Sequence, residues 1–331
     1  MALKNKRILV TGCEGYIGGH TCMALKDSGY EVVALDNVSS RNMWRHDLYD
    51  TSIISDINYL NVEWLDFAGI VHLAGTSLVG PSIETPALYY HNNVGGTAKL
   101  LLWLASHGFK GTFVFSSSAS VYGNVDTDLI SENYTTNPIN PYGQSKLMAE
   151  KVIEDSAKAY GMTAVSLRYF NACGADLHGR FGQMPNTTHI IAKLAESVLN
   201  NRPFVIYGND YPTDDGTCVR DYLHVSDIAE AHILALESAS APYNVYNLGT
   251  GTGHSILELI SVFEQVTNTK INMQHGVRRN GDPARLVADS SRFSADFNWR
   301  PNYSSLETII STAWQWYNSD RYRYFAAMPR H

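Results

Sequence analysis

Short apolar runs alternate with stretches of helical periodicity along the first half of the chain. Residues 7–10 form a compact apolar run, and 31–35, 52–54, 70–73, 112–115 and 165–167 repeat it. Between them, the apolar positions of 17–26, 86–106 and 142–160 recur at helical spacing, with Gly29 and Gly108 placed to close the first two. Short buried strands alternating with helices predict an α/β fold, a Rossmann-type doubly wound parallel sheet covered on both faces. Only 15 residues lie between Asp36 and Ser52, so the helix expected there is short or missing. The connection 56–69 is also brief.

Beyond about residue 172 the pattern changes. Gly, Pro, Asn and Asp become dense, above all in Gly208-Asn209-Asp210-Tyr211-Pro212-Thr213-Asp214-Asp215-Gly216. Such residues build loops, and a lobe of loops and short elements suits ligand binding over a rigid scaffold. The expected division is a sheet domain over 1–171 and a smaller α/β C-terminal substrate lobe over 172–331. The helix-like stretch 225–238 and the run Tyr246-Asn247-Leu248-Gly249 read as segments near 222–250 that return to the sheet.

Composition narrows the function classes. A chain of 331 residues with 44% apolar and 17% charged residues can bury a large core in two lobes. Its net charge is −7 and it has no run of Lys or Arg, which argues against general nucleic-acid or anionic-membrane binding. A small anionic substrate needs only two or three local cations. Cys13, Cys22, Cys173 and Cys218 form no Cys-x-x-Cys pair and have no His at metal-ligand spacing. They read as reduced thiols of a cytoplasmic protein without a metal site. The start Met-Ala-Leu-Lys-Asn-Lys-Arg has no apolar region of signal-peptide length, and no apolar run reaches membrane-span length.

Four constellations carry chemistry. Thr11-Gly12-Cys13-Glu14-Gly15-Tyr16-Ile17-Gly18 follows the first strand and opens a helix. Glycines there let backbone approach a pyrophosphate, and the helix N-terminus supplies free N–H groups and a positive dipole end. Asp36 ends the second strand 18 residues beyond Gly18, near the spacing of an acid that accepts from adenosine ribose hydroxyls. A carboxylate there repels a 2′-phosphate and favours NAD over NADP, an effect that Arg41 and Arg45 weaken. Tyr142 and Lys146 stand four apart on one helix face, where an ammonium would favour the phenolate. Ser116-Ser117-Ser118-Ala119-Ser120 ends the fifth strand, where parallel sheets place ligands, and Ser118 is positioned to pass a proton to Tyr142.

Together these motifs resemble the extended short-chain dehydrogenase/reductase family. Asn92-Asn93-Val94-Gly95-Gly96-Thr97, Ser116 through Gly123, Arg168-Tyr169-Phe170-Asn171, Tyr207 through Asp221 and Asn247-Leu248-Gly249 resemble its UDP-hexose 4-epimerases. The resemblance spans residues 7 to about 317. It implies an isomerase with tightly bound NAD, a UDP-hexose substrate and a homodimer formed through two helices per subunit, for which 86–106 and 142–160 are the candidates. It puts Gly12, Gly15, Tyr16, Ile17, Gly18, Asp36, Asn37, Asp56, Ile57, Leu73, Ala74, Gly75, Asn93, Ser116, Tyr142, Lys146 and Phe170 at the cofactor. Asn171, His189, Ile190, Val205, Ile206 and Tyr207 fall at positions holding the UDP moiety, and Arg220, Arg279 and Asp282 at the diphosphate and ribose. Ser118, Tyr142 and Lys146 are the implied catalytic set.

The departures from that family are specific. Ser77 stands where a Lys is usual near the cofactor, and the segment between Asp36 and Gly69 is short. Asn186-Thr187 differs from the usual pattern before Thr188-His189. Leu286, intermediate in size, occupies the position that separates hexose from N-acetylhexosamine use. UDP-N-acetylglucosamine/UDP-N-acetylgalactosamine epimerisation therefore stands beside the UDP-glucose/UDP-galactose reading. A 4,6-dehydratase is opposed because Ala119-Ser120, not Asp-Glu, follows Ser118. A non-catalytic sensor on the same fold is opposed by the complete Ser118, Tyr142 and Lys146 set. Net dehydrogenation with release of NADH is opposed by the two arginines expected to anchor UDP.

Overall fold

In a computed structural model describing residues 6–38, 47–60, 62–185, 187–279 and 282–327, seven parallel strands make the central sheet. They are β1 (Arg7–Thr11), β2 (Glu31–Asp36), β3 (Thr51–Ile54), β4 (Gly69–His72), β5 (Thr112–Ser118), β6 (Thr163–Tyr169) and β11 (Tyr243–Leu248). Their order is β11-β6-β5-β4-β1-β2-β3, so the winding reverses between β1 and β4 and leaves a crevice at the carboxyl ends of the strands. The interior strands are apolar because both faces are covered. α1 (Tyr16–Asp27) and α7 (Val225–Ser238) pack on one side, with Met23, Leu25 and Ile228 in the core. α4 (Thr97–Ser106) and α5 (Pro141–Tyr160) cover the other through Leu100, Leu104 and Ile153. β11 extends the sheet beside β6.

The doubly wound sheet expected from the alternating pattern is present. Among the described residues no helix joins β2 to β3, and Arg41 and Arg45 lie outside those residues. The helix expected over 86–106 is not uniform. It consists of α3 (Pro86–Tyr89), a π-helical stretch Tyr90–Gly96 and then α4. Before it lies a short helix the pattern did not predict, α2 (Val79–Glu84), whose Gly80-Pro81 resembles a turn.

The C-terminal part contains three small sheets. β7 (Asn171–Cys173) pairs with β10 (Tyr222–His224), and β8 (Phe204–Tyr207) with β13 (Met273–Gly276). β9 (Val219–Arg220) lies between β12 (His254–Ser255) and β14 (Arg285–Leu286). This part is richer in helix than its loop-dense sequence predicts. It carries α6 (Ile190–Leu199), α8 (Ile256–Thr267), α9 (Ser291–Phe297), α10 (Leu306–Tyr317) and α11 (Asp320–Ala327). Leu194, Leu259, Phe263, Ile309 and Trp316 from these helices join the core beneath α1 in one continuous cluster. The tail after Ser319 is anchored there, with Tyr322 and Phe325 against Trp316. No helix of the described residues is long and apolar enough to cross a membrane.

Candidate active site

A cleft of about 1720 Å³ opens over the carboxyl ends of the strands and reaches into the C-terminal part. The glycine turn forms its floor. Gly12 has φ +74°, and a Cβ on Gly18 would sit 2.1 Å from the Gly12 carbonyl oxygen, so neither position accepts a side chain without displacing backbone. Gly15 caps α1 with no side-chain hydrogen bond, so the first N–H groups of the helix have no capping side chain. The next loop is held against it: Thr11 Oγ1 accepts from Ala74 N at 3.2 Å and bonds His72 Nδ1 at 2.7 Å. His72 Nε2 reaches Thr97 Oγ1 at 2.9 Å, and burial pulls the imidazole pKa down to about 3, which keeps it neutral.

Asp36 lies at the cleft end of β2, where its carboxylate accepts from Glu14 N at 3.0 Å and Val38 N at 2.8 Å. Asp56 stands beside it, joined through Asn37 Nδ2 at 2.8 Å. Partial burial opposes the Asp56 charge, but hydrogen bonds from Asn58 and Asn37 outweigh it and hold the carboxyl below its usual range. Ile57, Leu73, Ala74, Gly75 and Phe170 also line the cleft. Asn93, placed at the cofactor by the resemblance, is instead buried one layer back. Its amide spans Thr76, accepting from the backbone N at 2.7 Å and donating to the carbonyl at 3.0 Å, and also donates to Ser145 Oγ at 2.9 Å. It shapes the cleft wall rather than facing the cleft.

Ser118, Tyr142 and Lys146 meet at the seam between β5 and α5. Asn140 caps α5 by accepting from Gly143 N at 2.8 Å, and Pro141 takes the first helical position. A Cβ at Gly143 would lie 2.3 Å from Ser120 O, so the helix start is pressed onto the turn that follows Ser118. Ser118 lines the cleft with Tyr142 and accepts from Ser120 N at 3.2 Å. Lys146 is buried, with Nζ donating to Ser116 O at 2.8 Å and lying 5.9 Å from the centre of the Tyr142 ring. Burial brings Lys146 down to about 8 against the opposing pull of Glu150. Burial also raises the Tyr142 phenol above its usual range, with Ser118 acting downward and Tyr89 upward. The Tyr/Lys spacing predicts the opposite direction. Desolvation wins because the ammonium is directed at the Ser116 carbonyl.

At the far end, Arg220 pairs with Asp282 and donates to Val219 O at 2.8 Å, and Arg279 stacks on Tyr207 at 4.1 Å. Both arginines, with Asp282, Asn171, His189 and Ile190, line the cleft. Asn171 Nδ2 donates to Asp221 O at 2.9 Å. His189 begins α6, contacts Ala172 O at 3.3 Å and is kept neutral by burial. Tyr16 extends from the glycine turn to this end, donating to Gly174 O at 2.7 Å. Leu286 pairs in register with Arg220 and, like Phe170, packs against the cluster of Val121, Tyr122 and Ile130. Val205, Ile206 and Tyr207 do not line the cleft: Ile206 is core, and Tyr207 lies outside beneath Arg279. Asn186 lies outside the described residues.

The fold and site define a Rossmann-type α/β protein with a cradle for a dinucleotide beside a Tyr/Lys/Ser set. The chain belongs to the NAD dependent epimerase/dehydratase family, whose model matches residues 8–249. It is 41% identical to a UDP-glucose 4-epimerase of Halalkalibacterium halodurans, over 96% of this chain and 97% of that one. The crystal structure of UDP-glucose-4-epimerase from Stenotrophomonas maltophila, with bound NAD and formylated UDP-arabinopyranose, is similar with a TM-score of 0.88 and 32% identity. That likeness covers 98% of this chain and all of the other. The UDP-Glc/GlcNAc 4-epimerase of Campylobacter jejuni is similar at 0.77 and 33%, covering 95% and 99%.

Proposed function

We propose that this chain interconverts UDP-glucose and UDP-galactose by transient oxidation at C4 with retained NAD. The observation that carries the reading is the grouping of Ser118, Tyr142 and Lys146 on a cleft that has the glycine cradle at one end and Arg220 and Arg279 at the other. The cradle fits the cofactor: the turn admits no Cβ at Gly12 or Gly18, and the Asp36 carboxylate stands where ribose hydroxyls would donate. Gly12, Gly15, Tyr16, Ile17 and Gly18 would hold its pyrophosphate, Asp36 and Asn37 the adenosine ribose, Asp56 and Ile57 the adenine, and Lys146 the nicotinamide ribose. When bound, NAD would supply the hydride acceptor and donor for the sugar C4.

The chain's own residues do the rest. Tyr142 Oη takes the proton of the 4′-hydroxyl and gives it back, with Ser118 sharing the hydrogen bond to the reacting oxygen. Lys146 supplies a buried positive charge one helical turn from Tyr142, its Nζ held on the Ser116 carbonyl. Arg220 and Arg279 hold the diphosphate as planar forks while the sugar ring turns, so binding far from C4 retains the intermediate.

A second reading, epimerisation of UDP-N-acetylhexosamines, is favoured by Leu286, which is half-buried, lines the cleft and pairs in register with Arg220. The proposed assembly is a homodimer through the outer faces of α3, α4 and α5, where Leu88, Leu102 and Met148 are exposed. The four cysteines are buried, which suits the reduced thiols of a cytoplasmic protein. Residues 1–171, with the returning segments near 222–250, form the proposed NAD-binding domain and 172–331 the nucleotide-sugar lobe. The test is proton NMR of the purified protein with UDP-galactose or UDP-N-acetylgalactosamine, without added NAD. Conversion of UDP-galactose is expected, with the N-acetyl sugar slower. Failure with both sugars, in the presence of added NAD, overturns the reading.

A further inference from the structure

Three consecutive residues of β5 each face one of three α5 residues spaced four apart. Ser118 meets Tyr142 and the Ser116 carbonyl meets Lys146. The third contact is one turn deeper, where Ser117 Oγ donates to Glu150 Oε1 at 2.5 Å. Ser117 and Glu150 are both buried; Ser117 borders the cleft through β5, and Glu150 lies behind it. Glu150 is itself fixed: Arg168 of β6 donates Nε to Oε1 at 2.9 Å and Nη2 to Oε2 at 2.6 Å. Arg168 Nη1 in turn donates to Tyr122 Oη at 2.9 Å, and Tyr122 donates to Asn247 Oδ1 of β11 at 2.7 Å. The three outer strands β5, β6 and β11 are thus tied to one carboxylate on the catalytic helix.

A buried ion pair is weak evidence for stability, because desolvation offsets its attraction. A role in fixing one arrangement accounts better for its place here. Sliding or rotating α5 against β5 would break the Ser117–Glu150 contact first, since the bidentate pair leaves Glu150 no freedom to follow.

We propose that Ser117 and Glu150 are positioning residues that set the register of Ser116 and Ser118 against Lys146 and Tyr142. This rests on the catalytic reading of that seam, and the test separates the two. Ser117→Ala removes one contact and leaves the Arg168–Glu150 pair intact, so the protein should fold. Misplacement of reacting groups by about 1 Å costs up to ~100-fold. The expected result is therefore a kcat about 10-fold lower, with KM for UDP-galactose changed less than about 2-fold. Ser117→Thr, which keeps the hydroxyl, should restore it. Independently of turnover, carbon-13 NMR of tyrosine labelled at Cζ, with Tyr142→Phe assigning the signal, should show one Tyr142 resonance in the native protein. That signal should be broadened or doubled in Ser117→Ala and single again in Ser117→Thr. A folded Ser117→Ala with native kcat or a single unchanged Tyr142 signal overturns the proposal. A native protein inert toward UDP-hexoses overturns the function, and the NMR arm still decides the positioning role.

Discussion

The ammonium of Lys146 donates to the carbonyl of Ser116 at 2.8 Å, which directs its charge toward the end of β5 rather than at the Tyr142 oxygen. Replacing it with methionine keeps the bulk and removes the charge. We expect Lys146→Met to lower kcat by about 100-fold or more, in the range of a lost general acid–base partner. UDP affinity should stay native, because Arg220 and Arg279 occupy the other end of the cleft. Steady-state kinetics with isothermal titration by UDP checks both. An equal loss in UDP binding would contradict the assignment.

Gly18→Ala should abolish cofactor retention. Its Cβ would sit 2.1 Å from Gly12 O and force the turn open. The purified variant should lack the nucleotide absorbance of the native protein, and added NAD should not raise its Tm. Retention of NAD by a folded variant would contradict the placement of the pyrophosphate.

Arg279 stacks on Tyr207 and faces the cleft, with no ion pair to satisfy within about 4 Å among the described residues. Arg279→Ala should weaken UDP binding by about 10- to 100-fold, the scale of a charge-assisted hydrogen bond to phosphate. It should leave NAD content unchanged. Equilibrium titration with UDP gives the answer, and unchanged affinity would remove this residue from the diphosphate site.

Three buried imidazoles, His72, His224 and His232, are each pulled down by burial from 6.5 to about 3. The unfolded chain takes up protons on them below about pH 6.5, while the folded chain does not until about pH 3. Their stability contribution is therefore complete above about pH 6.5 and is lost progressively as pH falls from there. Tm should drop from neutrality to about pH 4.5, and His232→Asn should flatten that slope even though it lowers Tm at neutral pH. A pH-independent Tm over this range would contradict the neutral burial of these rings.

The parts legible in the sequence are those whose physics is local. A glycine turn between strand and helix, an acid at the end of β2 and a Tyr/Lys pair one helical turn apart each follow from spacing along the chain. The short β2–β3 connection is legible from residue count alone. What tertiary packing decides was not. Asn93 carries a polar side chain like any surface asparagine, and only the π-helical stretch turns it inward to bridge Thr76. Val205, Ile206 and Tyr207 alternate as a strand should, but the pairing of β8 with β13 directs them away from the cleft. The direction of the Tyr142 shift depends on burial, which i,i+4 spacing does not report. Asn140-Pro141, an N-cap followed by proline, was a readable signal for the start of α5, and helps to explain why Tyr142 faces the Ser118 turn.

The central claim is that one C4 hydrogen leaves the sugar and returns to the same molecule while Tyr142 handles the proton. The most direct measurement uses UDP-galactose deuterated at C4, mixed with unlabelled UDP-galactose carrying carbon-13 elsewhere in the ring, with no added NAD. The account predicts UDP-glucose that keeps its deuterium at C4, without washout to water or transfer to the carbon-13 molecules, and no product from Tyr142→Phe on the same timescale. Deuterium lost to solvent, or crossed over between molecules, would contradict it.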